Sequence, residues 1–320
     1  MKKLGMVVAI FLAVLTVKAD EGMWLLKELN SESIARMKEL GFTFPVDQLY
    51  DEENPSLKDA VVIFGGGCTG VAVSDQGLIF TNHHCGYGAI QKLSAVEHDY
   101  LKDGFVAKSQ EEELPADGLT VSFLRSMTDV TDWILSQVPS VLSEIQRERA
   151  IDSLSTVLVD EYETDPFTMA RVVPFYSRNK YYVVLYDQFR DVRFVTAPPS
   201  SVGKFGGDTD NWMWPRHTGD FSVFRVYADK DNRPANYSSE NIPYQPEYVV
   251  PVSLDGVTDG DYAMTVGYPG STQRYMSSWG IRQRMESENK PRIEVRGAKQ
   301  DIWWDAMTQN DTIRIKYANK

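Results

Sequence analysis

The sequence GGGCTGVAVSDQGLIFTNHHCG, at residues 65–86, carries the clearest structural signals in this 320-residue chain. A β-rich run at residues 61–64 precedes it, and runs at residues 70–73 and 78–81 lie within it. The segment Ser74-Asp75-Gln76-Gly77 between the last two runs has the polar residues and the glycine typical of a turn. We therefore predict a strand, a glycine-rich stretch and then a β-hairpin.

The N-terminus has the features of an export signal. Lys2 and Lys3 precede an apolar run at residues 5–17, and a small-residue cleavage pattern follows at residues 17–19. The run has about 13 residues, fewer than the roughly 20 that span a bilayer. We expect residues 1–19 to be removed, and the mature protein to be exported to the periplasm or the cell surface without a membrane span.

The two cysteines, Cys68 and Cys85, flank the predicted hairpin. In an oxidising compartment such a pair is more often bridged than free, and the bridge would contribute roughly 3 kcal/mol in the chain-entropy model. A competing interpretation makes His83 and His84 zinc ligands together with the cysteines. Adjacent histidines on an extended chain point to opposite faces, so we favour a disulfide and expect no metal and no cofactor.

Composition limits the classes of function. With 42% hydrophobic and 24% charged residues, the chain can bury a sizeable core, and its length suggests two domains. Its formal net charge is −12, whereas proteins that bind nucleic acids usually carry a positive surface. Nucleic acid is therefore not an expected partner.

Hydrophobic spacing divides the remaining chain into helical and β-rich parts. Helices are predicted over residues 23–40 and 130–162, and again from Gly280 to the end of the chain. Further strands are predicted at residues 181–186, 221–227 and 262–266. The predicted fold class is mainly β with helical insertions.

His84, next to Cys85 at the end of the predicted hairpin, is the candidate catalytic residue. The arrangement resembles the histidine hairpin of chymotrypsin-fold serine peptidases, in which the imidazole acts as general base. Such a base needs a carboxylate, and Asp220 directly precedes a predicted strand that could aim it at His84. Asp208 and Asp210 are alternatives on a glycine-rich loop. A histidine pair at a strand end and an aspartate in a turn are the purely structural interpretations.

Two longer motifs make the resemblance more specific. TNHHCGYGAIQ at residues 81–91 and DNWMWPRHTGDFSVFRVY at residues 210–227 closely resemble the bacterial dipeptidyl-peptidases of the 7 and 11 types. The resemblance extends from DEGMW at residue 20 to the C-terminus. It implies a chymotrypsin-like β-barrel catalytic domain at residues 20–279, followed at residues 280–320 by the start of an α-helical domain inserted in a double barrel.

The resemblance also assigns roles to particular side chains. It implies that His84 is the base, that Asp220 orients it, and that Asn211 and Trp212 bind the free α-amino group of a peptide substrate. An Asn carbonyl can accept a hydrogen bond from an ammonium group, and a Trp ring offers a cation–π face. Without the resemblance, Trp212 and Trp214 would be taken as core aromatic residues.

The nucleophilic serine of such an enzyme is not found in the sequence. The family's serine lies far downstream in a Gly-rich segment, and Ser271 in GYPGSTQ is better interpreted as a turn residue. We expect an N-terminal portion of a serine exopeptidase, inactive alone, whose partners are peptides with free N-termini and whose full-length form is a candidate homodimer. The alternatives are a non-catalytic exported peptide-binding module and a zinc protein.

Overall fold

The computed structural model describes residues 23–207, 209, 213–271, 273 and 275–319. The predicted export signal at residues 1–19 lies outside these ranges, as do Asn211 and Trp212. The fold is described for the remaining residues.

Antiparallel β-structure dominates the first 250 residues. The strands are β1 Val61–Phe64, β2 Cys68–Ala72, β3 Leu78–Thr81, β4 Phe105–Val106, β5 Leu114–Pro115, β6 Val121–Asp129, β7 Thr168–Phe175, β8 Lys180–Phe189, β9 Asp191–Ala197, β10 Ser222–Ala228 and β11 Ile242–Pro243.

These strands form one sheet in the order β4-β9-β10-β3-β2-β1-β6-β8-β7, with β11 beside β10 and β5 beside β9. All the pairs are antiparallel. A large antiparallel sheet accompanied by helices agrees with the predicted mainly β class. Among the described strands the path from β4 to β7 is open, so the closed barrel stays a prediction.

The main core lies at the centre of this sheet. Every residue of β10 and of β1 is buried, which matches their runs of valine and phenylalanine. The ring of Phe224 packs against Phe64 and Phe194, with centroids 4.9 Å and 5.3 Å away. This core supports the strand that leads away from Asp220.

Helices precede, interrupt and follow the sheet. The α-helices are α1 Ser31–Glu39, α2 Leu57–Ala60, α3 His83–Leu93, α4 Tyr100–Asp103, α5 Thr131–Ser136, α6 Glu144–Tyr162, α7 Ser200–Gly203, α8 Ser278–Gln283, α9 Lys290–Gln309 and α10 Asp311–Tyr317. A π-helix, Arg284–Asn289, joins α8 to α9. Short 3₁₀ turns occur at Leu26–Glu28, Val46–Gln48, Gln110–Glu112 and Tyr176–Arg178.

Two predicted helices are shorter than expected. The stretch 130–162 is broken between α5 and α6, where Pro139 cannot continue a helix, and Ser143 starts α6 with a capping box. The stretch 23–40 is divided at Asn30, whose side chain accepts a hydrogen bond from the Ser33 backbone at 2.8 Å. In both cases a capping residue or a proline interrupts the helix, although the apolar spacing continues.

The C-terminal region is helical from residue 278, as predicted, whereas the strand predicted at residues 262–266 is wrong. Two partly buried contacts attach its last helix, α10, to α3 and to the start of α4: Arg314 donates to Asp99 at 2.6 Å, and Gln91 of α3 donates to the Ile315 carbonyl at 2.6 Å. Within the described ranges, no helix combines the length and the apolarity of a membrane span.

Candidate active site

Pairing of β3 with β10 brings two distant parts of the sequence together. Thr81 at the end of β3 lies opposite Ser222 at the start of β10. Because the two strands are antiparallel, the residues after Thr81 and those before Ser222 meet at the same end of the sheet. Residues 82–84 therefore lie beside residues 219–221.

His84 lies in the first turn of a helix, not at the end of a strand as the sequence suggested. β3 ends at Thr81, Asn82 precedes the helix with an extended backbone, and α3 begins at His83. Gly86 and Gly88 within α3 are weak helix formers, which explains why the spacing did not predict a helix here. The helical start gives His84 a fixed backbone.

The His84 imidazole and the Asp220 carboxylate are in direct contact. Nδ1 of His84 lies 2.6 Å from Oδ2 of Asp220. The imidazole side chain is 56% exposed and the carboxylate 18%. Since Asp220 accepts the Nδ1 proton in the neutral imidazole, Nε2 carries the free lone pair, as a general base requires.

Asp220 also fixes the backbone of the helix that carries His84. Its Oδ1 accepts the backbone N–H of His84 at 3.0 Å. The N–H groups of a first helical turn have no partner within the helix, and the helix dipole favours a carboxylate there. One side chain therefore positions both the ring and the main chain of His84.

Asn82 and Ser222 complete the support of the carboxylate, and sequence reasoning missed both. Asn82 donates from Nδ2 to the Asp220 carbonyl at 3.1 Å and to Oδ2 at 3.3 Å. The buried Ser222 hydroxyl donates to the Asn82 carbonyl at 2.8 Å. An Asn directly before a helix is a capping signal, but the helix itself was not predicted.

Cys68 and Cys85 form a disulfide in the structure. The bridge joins the start of β2 to the residue after His84. Donor atoms of Cys68, His84 and Cys85 lie within 4.8 Å of one another, yet both sulfurs are in the bridge and offer no thiolate to a metal. The geometry therefore gives the zinc interpretation no support.

His83 and His84 occupy opposite environments. His83 is 1% exposed, and its ring meets the Tyr87 ring edge to face at 5.6 Å between centroids. Burial lowers the pKa of His83, and the negative charge of Asp220 only partly opposes this. His83 is therefore held neutral while its neighbour faces solvent.

Among the remaining candidate residues, the structure describes Trp214 and Ser271 but not the other four. Asp208 and Asp210, the alternatives to Asp220, lie outside the described residues with Asn211 and Trp212. Trp214 is 88% exposed, so it is not the core aromatic residue that a structural interpretation requires. Ser271 is exposed in a stretch without regular secondary structure.

Large exposed side chains also occur in the chain segment that leads to Asp220 and at the residue after it. They are Phe205, Met213, Trp214 and Phe221. Exposed apolar groups near a polar pair are typical of ligand-binding surfaces. The described residues thus include a direct His84–Asp220 contact and exposed apolar side chains close to Asp220 in the sequence.

Known proteins with similar sequences include several dipeptidyl-peptidases. Dipeptidyl-peptidase 7 of Porphyromonas gingivalis is 60% identical over 303 residues, which cover 95% of this chain and 43% of that protein. An Asp/Glu-specific dipeptidyl-peptidase of Flavobacterium psychrophilum is 44% identical over 320 residues, covering 100% of this chain and 45% of that protein.

Similar solved structures also include dipeptidyl-peptidases. Porphyromonas endodontalis DPP11 in complex with the dipeptide Arg-Glu matches with a TM-score of 0.87 and 46% identity, over 94% of this chain and 44% of that one. This chain therefore spans less than half the length of the proteins it matches.

The resemblance to dipeptidyl-peptidases of the 7 and 11 types is thus confirmed. The sequence profile of peptidase S46 matches residues 19–320. By this match and by the 60% identity, the chain belongs to the peptidase S46 family.

Proposed function

We propose that this chain is the N-terminal part of a serine-type dipeptidyl-peptidase that removes dipeptides from the N-termini of peptides. His84 is the general base and Asp220 its orienting carboxylate. The contact of 2.6 Å between His84 Nδ1 and Asp220 Oδ2 carries the proposal. In the full enzyme the open sheet forms part of a chymotrypsin-like barrel, and residues 280–320 begin its helical domain.

In the proposed reaction, Nε2 of His84 takes the proton of the nucleophilic serine as that serine attacks the scissile carbonyl. Asp220 stabilises the imidazolium that forms, and His84 then returns the proton to the leaving amine. We place the serine and the oxyanion donors in the part of the full-length relatives that this chain does not match. The chain alone is then inactive, since little besides binding remains without a nucleophile.

The proposed substrates are peptides with a free N-terminus. Asn211 would accept a hydrogen bond from the substrate ammonium group, and Trp212 would offer its ring. A solved relative holds a dipeptide, and the exposed Trp214 and Phe221 provide apolar contact surface in this chain. Relatives named dipeptidyl-peptidase 7 and relatives named Asp/Glu-specific both match, so no side-chain preference is assigned. We also propose that the protein is exported before it acts on peptides.

A hybrid enzyme tests the proposed function. Residues 20–320 replace the corresponding segment of the Porphyromonas gingivalis relative, and mass spectrometry identifies the products released from a peptide. We expect dipeptides from a free peptide and none from its N-acetylated form. H84A removes the activity, whereas H98A, which changes an exposed histidine, keeps it.

Four results would contradict the proposal or one of its parts. One is a folded hybrid without dipeptide release, and another is release that persists in H84A. A folded, inactive hybrid that binds free but not acetylated peptides would favour the binding-module alternative. Turnover by the 320-residue chain alone, abolished by H84A, would place a nucleophile within these residues.

A further inference from the structure

The short helix α7, Ser200–Gly203, touches the residue that precedes His84. A Cβ atom at Gly203 would lie 2.4 Å from Cδ2, 2.5 Å from Cγ and 2.8 Å from Nε2 of His83. Gly203 is not in the left-handed backbone region, so its conformation does not require glycine. Space for the His83 ring is the physical reason for a glycine at this position.

The same helix touches the residue that precedes Asp220. The Val202 carbonyl accepts the backbone N–H of Gly219 at 3.0 Å. A Cβ atom at Gly219 would lie 2.8 Å from Cγ1 of Val202, and this glycine is also outside the left-handed region. Two consecutive residues of α7 therefore support the two chain segments that carry His84 and Asp220.

Stability alone does not explain a histidine at position 83. Among the described residues, at most one ring nitrogen of His83 has a hydrogen-bond partner, the Pro198 backbone, so at least one nitrogen is left unpaired. An unpaired buried polar atom costs free energy, whereas an apolar ring of the same shape would not. The shape of the ring against Gly203 is the feature that the surrounding structure uses.

We propose that His83 and Gly203 form a matched contact that positions His84 against Asp220, which makes His83 a positioning residue of the active site. The inference rests on the proposed function of the pair as base and orienting carboxylate. The ring sets the separation between α3 and α7. Since Val202 of α7 also bonds to Gly219, a change in that separation moves the Asp220 carboxylate relative to the His84 imidazole.

The tautomer of His84 reports this geometry directly. ¹⁵N NMR of the neutral imidazole distinguishes the Nδ1–H form, which Asp220 selects, from the Nε2–H form that free imidazole prefers. In G203A the new methyl group meets the His83 ring, and we expect the Nδ1–H to Nε2–H ratio to fall about tenfold, as for loss of one charge-assisted hydrogen bond. G66A is the matched control, because a Cβ atom there meets nothing within 4 Å.

Compensating variants separate positioning from general damage. H83A/G203A removes the ring that the methyl group would meet, and we expect it to recover the wild-type ratio to within about threefold. H83A alone leaves a cavity into which α7 can move, so we expect a smaller fall.

The outcomes are decisive in each direction. A folded G203A with the wild-type ratio, or a double variant as impaired as G203A, would overturn the inference. If G203A fails to fold, H83A decides, and an unchanged ratio in folded H83A would contradict positioning. Failure of the proposed function would appear in the peptide-release assay and not in this spectrum, so the two failures are distinguishable.

Discussion

Two pairs of polar side chains, one just before strand β10 and one within it, have different surroundings. Just before the strand, Asp220 meets His84, with side chains 18% and 56% exposed. Within the strand, Arg225 meets Glu113, with side chains 10% and 2% exposed. One pair is open to solvent and the other is enclosed.

The enclosed pair is hydrogen-bonded on several sides. Glu113 accepts from Nε of Arg225 at 2.8 Å and from the Tyr227 hydroxyl at 2.8 Å. Arg225 also donates to the Gln76 carbonyl at 2.6 Å. Burial raises the pKa of Tyr227, and the neighbouring Glu113 raises it further, so the phenol stays protonated and keeps donating.

The comparison indicates a division of roles along one strand. The side chains of Glu113 and Arg225 are buried and bonded on several sides, so removal of one partner would leave the other charge buried and unpaired. The His84 imidazole is bonded to Asp220 through Nδ1 and is more than half exposed, so its second nitrogen is accessible to a reacting group. Variants of the two pairs should therefore fail in different assays.

The largest expected effect is on catalysis at the open pair. In the hybrid enzyme, D220N should lower the rate of dipeptide release by about 10⁴-fold, because an amide does not select the Nδ1–H tautomer or stabilise an imidazolium. Release rates with a chromogenic dipeptidyl substrate measure this. D187N changes a half-buried aspartate paired with Arg125 and should keep the rate. Equal rates in D220N and the wild type would remove the distinction between the two pairs.

The next largest effect is on stability at the enclosed pair. E113A should lower the free energy of unfolding by about 3–5 kcal/mol, because it leaves the Arg225 charge buried and unpaired. Urea unfolding measures the loss. E148A, at an exposed pair with Arg178, should change stability little. A stable E113A would show that the enclosed pair does not hold the fold.

Removal of the disulfide should have an intermediate effect on stability. In C68S/C85S we expect a loss of about 3 kcal/mol, because the unfolded chain regains the entropy of an open loop. Unfolding of the wild type with and without reductant gives an independent value. Agreement between the two values supports the account, and an unchanged midpoint in the double variant would contradict it.

The smallest effect concerns pH and His83. Burial keeps the pKa of folded His83 below its ordinary value of 6.5. Below that pH the unfolded chain binds a proton at residue 83 that the folded chain does not, so the free energy of unfolding falls from about pH 6.5 downward. Above it, this contribution is constant. H83F should show a shallower fall as the pH decreases below about 6.5, and identical slopes would contradict the assignment.

The sequence predicted the parts of the site that depend on local patterns. The β-rich run after residue 220 and the hairpin before His84 are local signals, and they suggested a contact that the structure shows between Asp220 and His84. The disulfide pairing followed from the cysteine count and the expected compartment. In each case a short segment contained enough information.

Other parts depend on partners far away in the sequence. Asn82 contacts Asp220 across 138 positions, and nothing near Asn82 indicates that acceptor. Gly203 looks like any loop glycine until the His83 ring is placed against it. Helix α3 was missed because tertiary contacts, including the Asp220 cap, compensate for its two glycines.

The tautomer of His84 tests the central claim most directly. ¹⁵N NMR spectra of the wild-type chain and of D220N are compared at mildly alkaline pH, where histidine side chains are generally neutral. We expect the Nδ1–H form to predominate in the wild type and the Nε2–H form in D220N. Predominance of the Nε2–H form in the wild type, or the same tautomer ratio in both chains, would contradict the account.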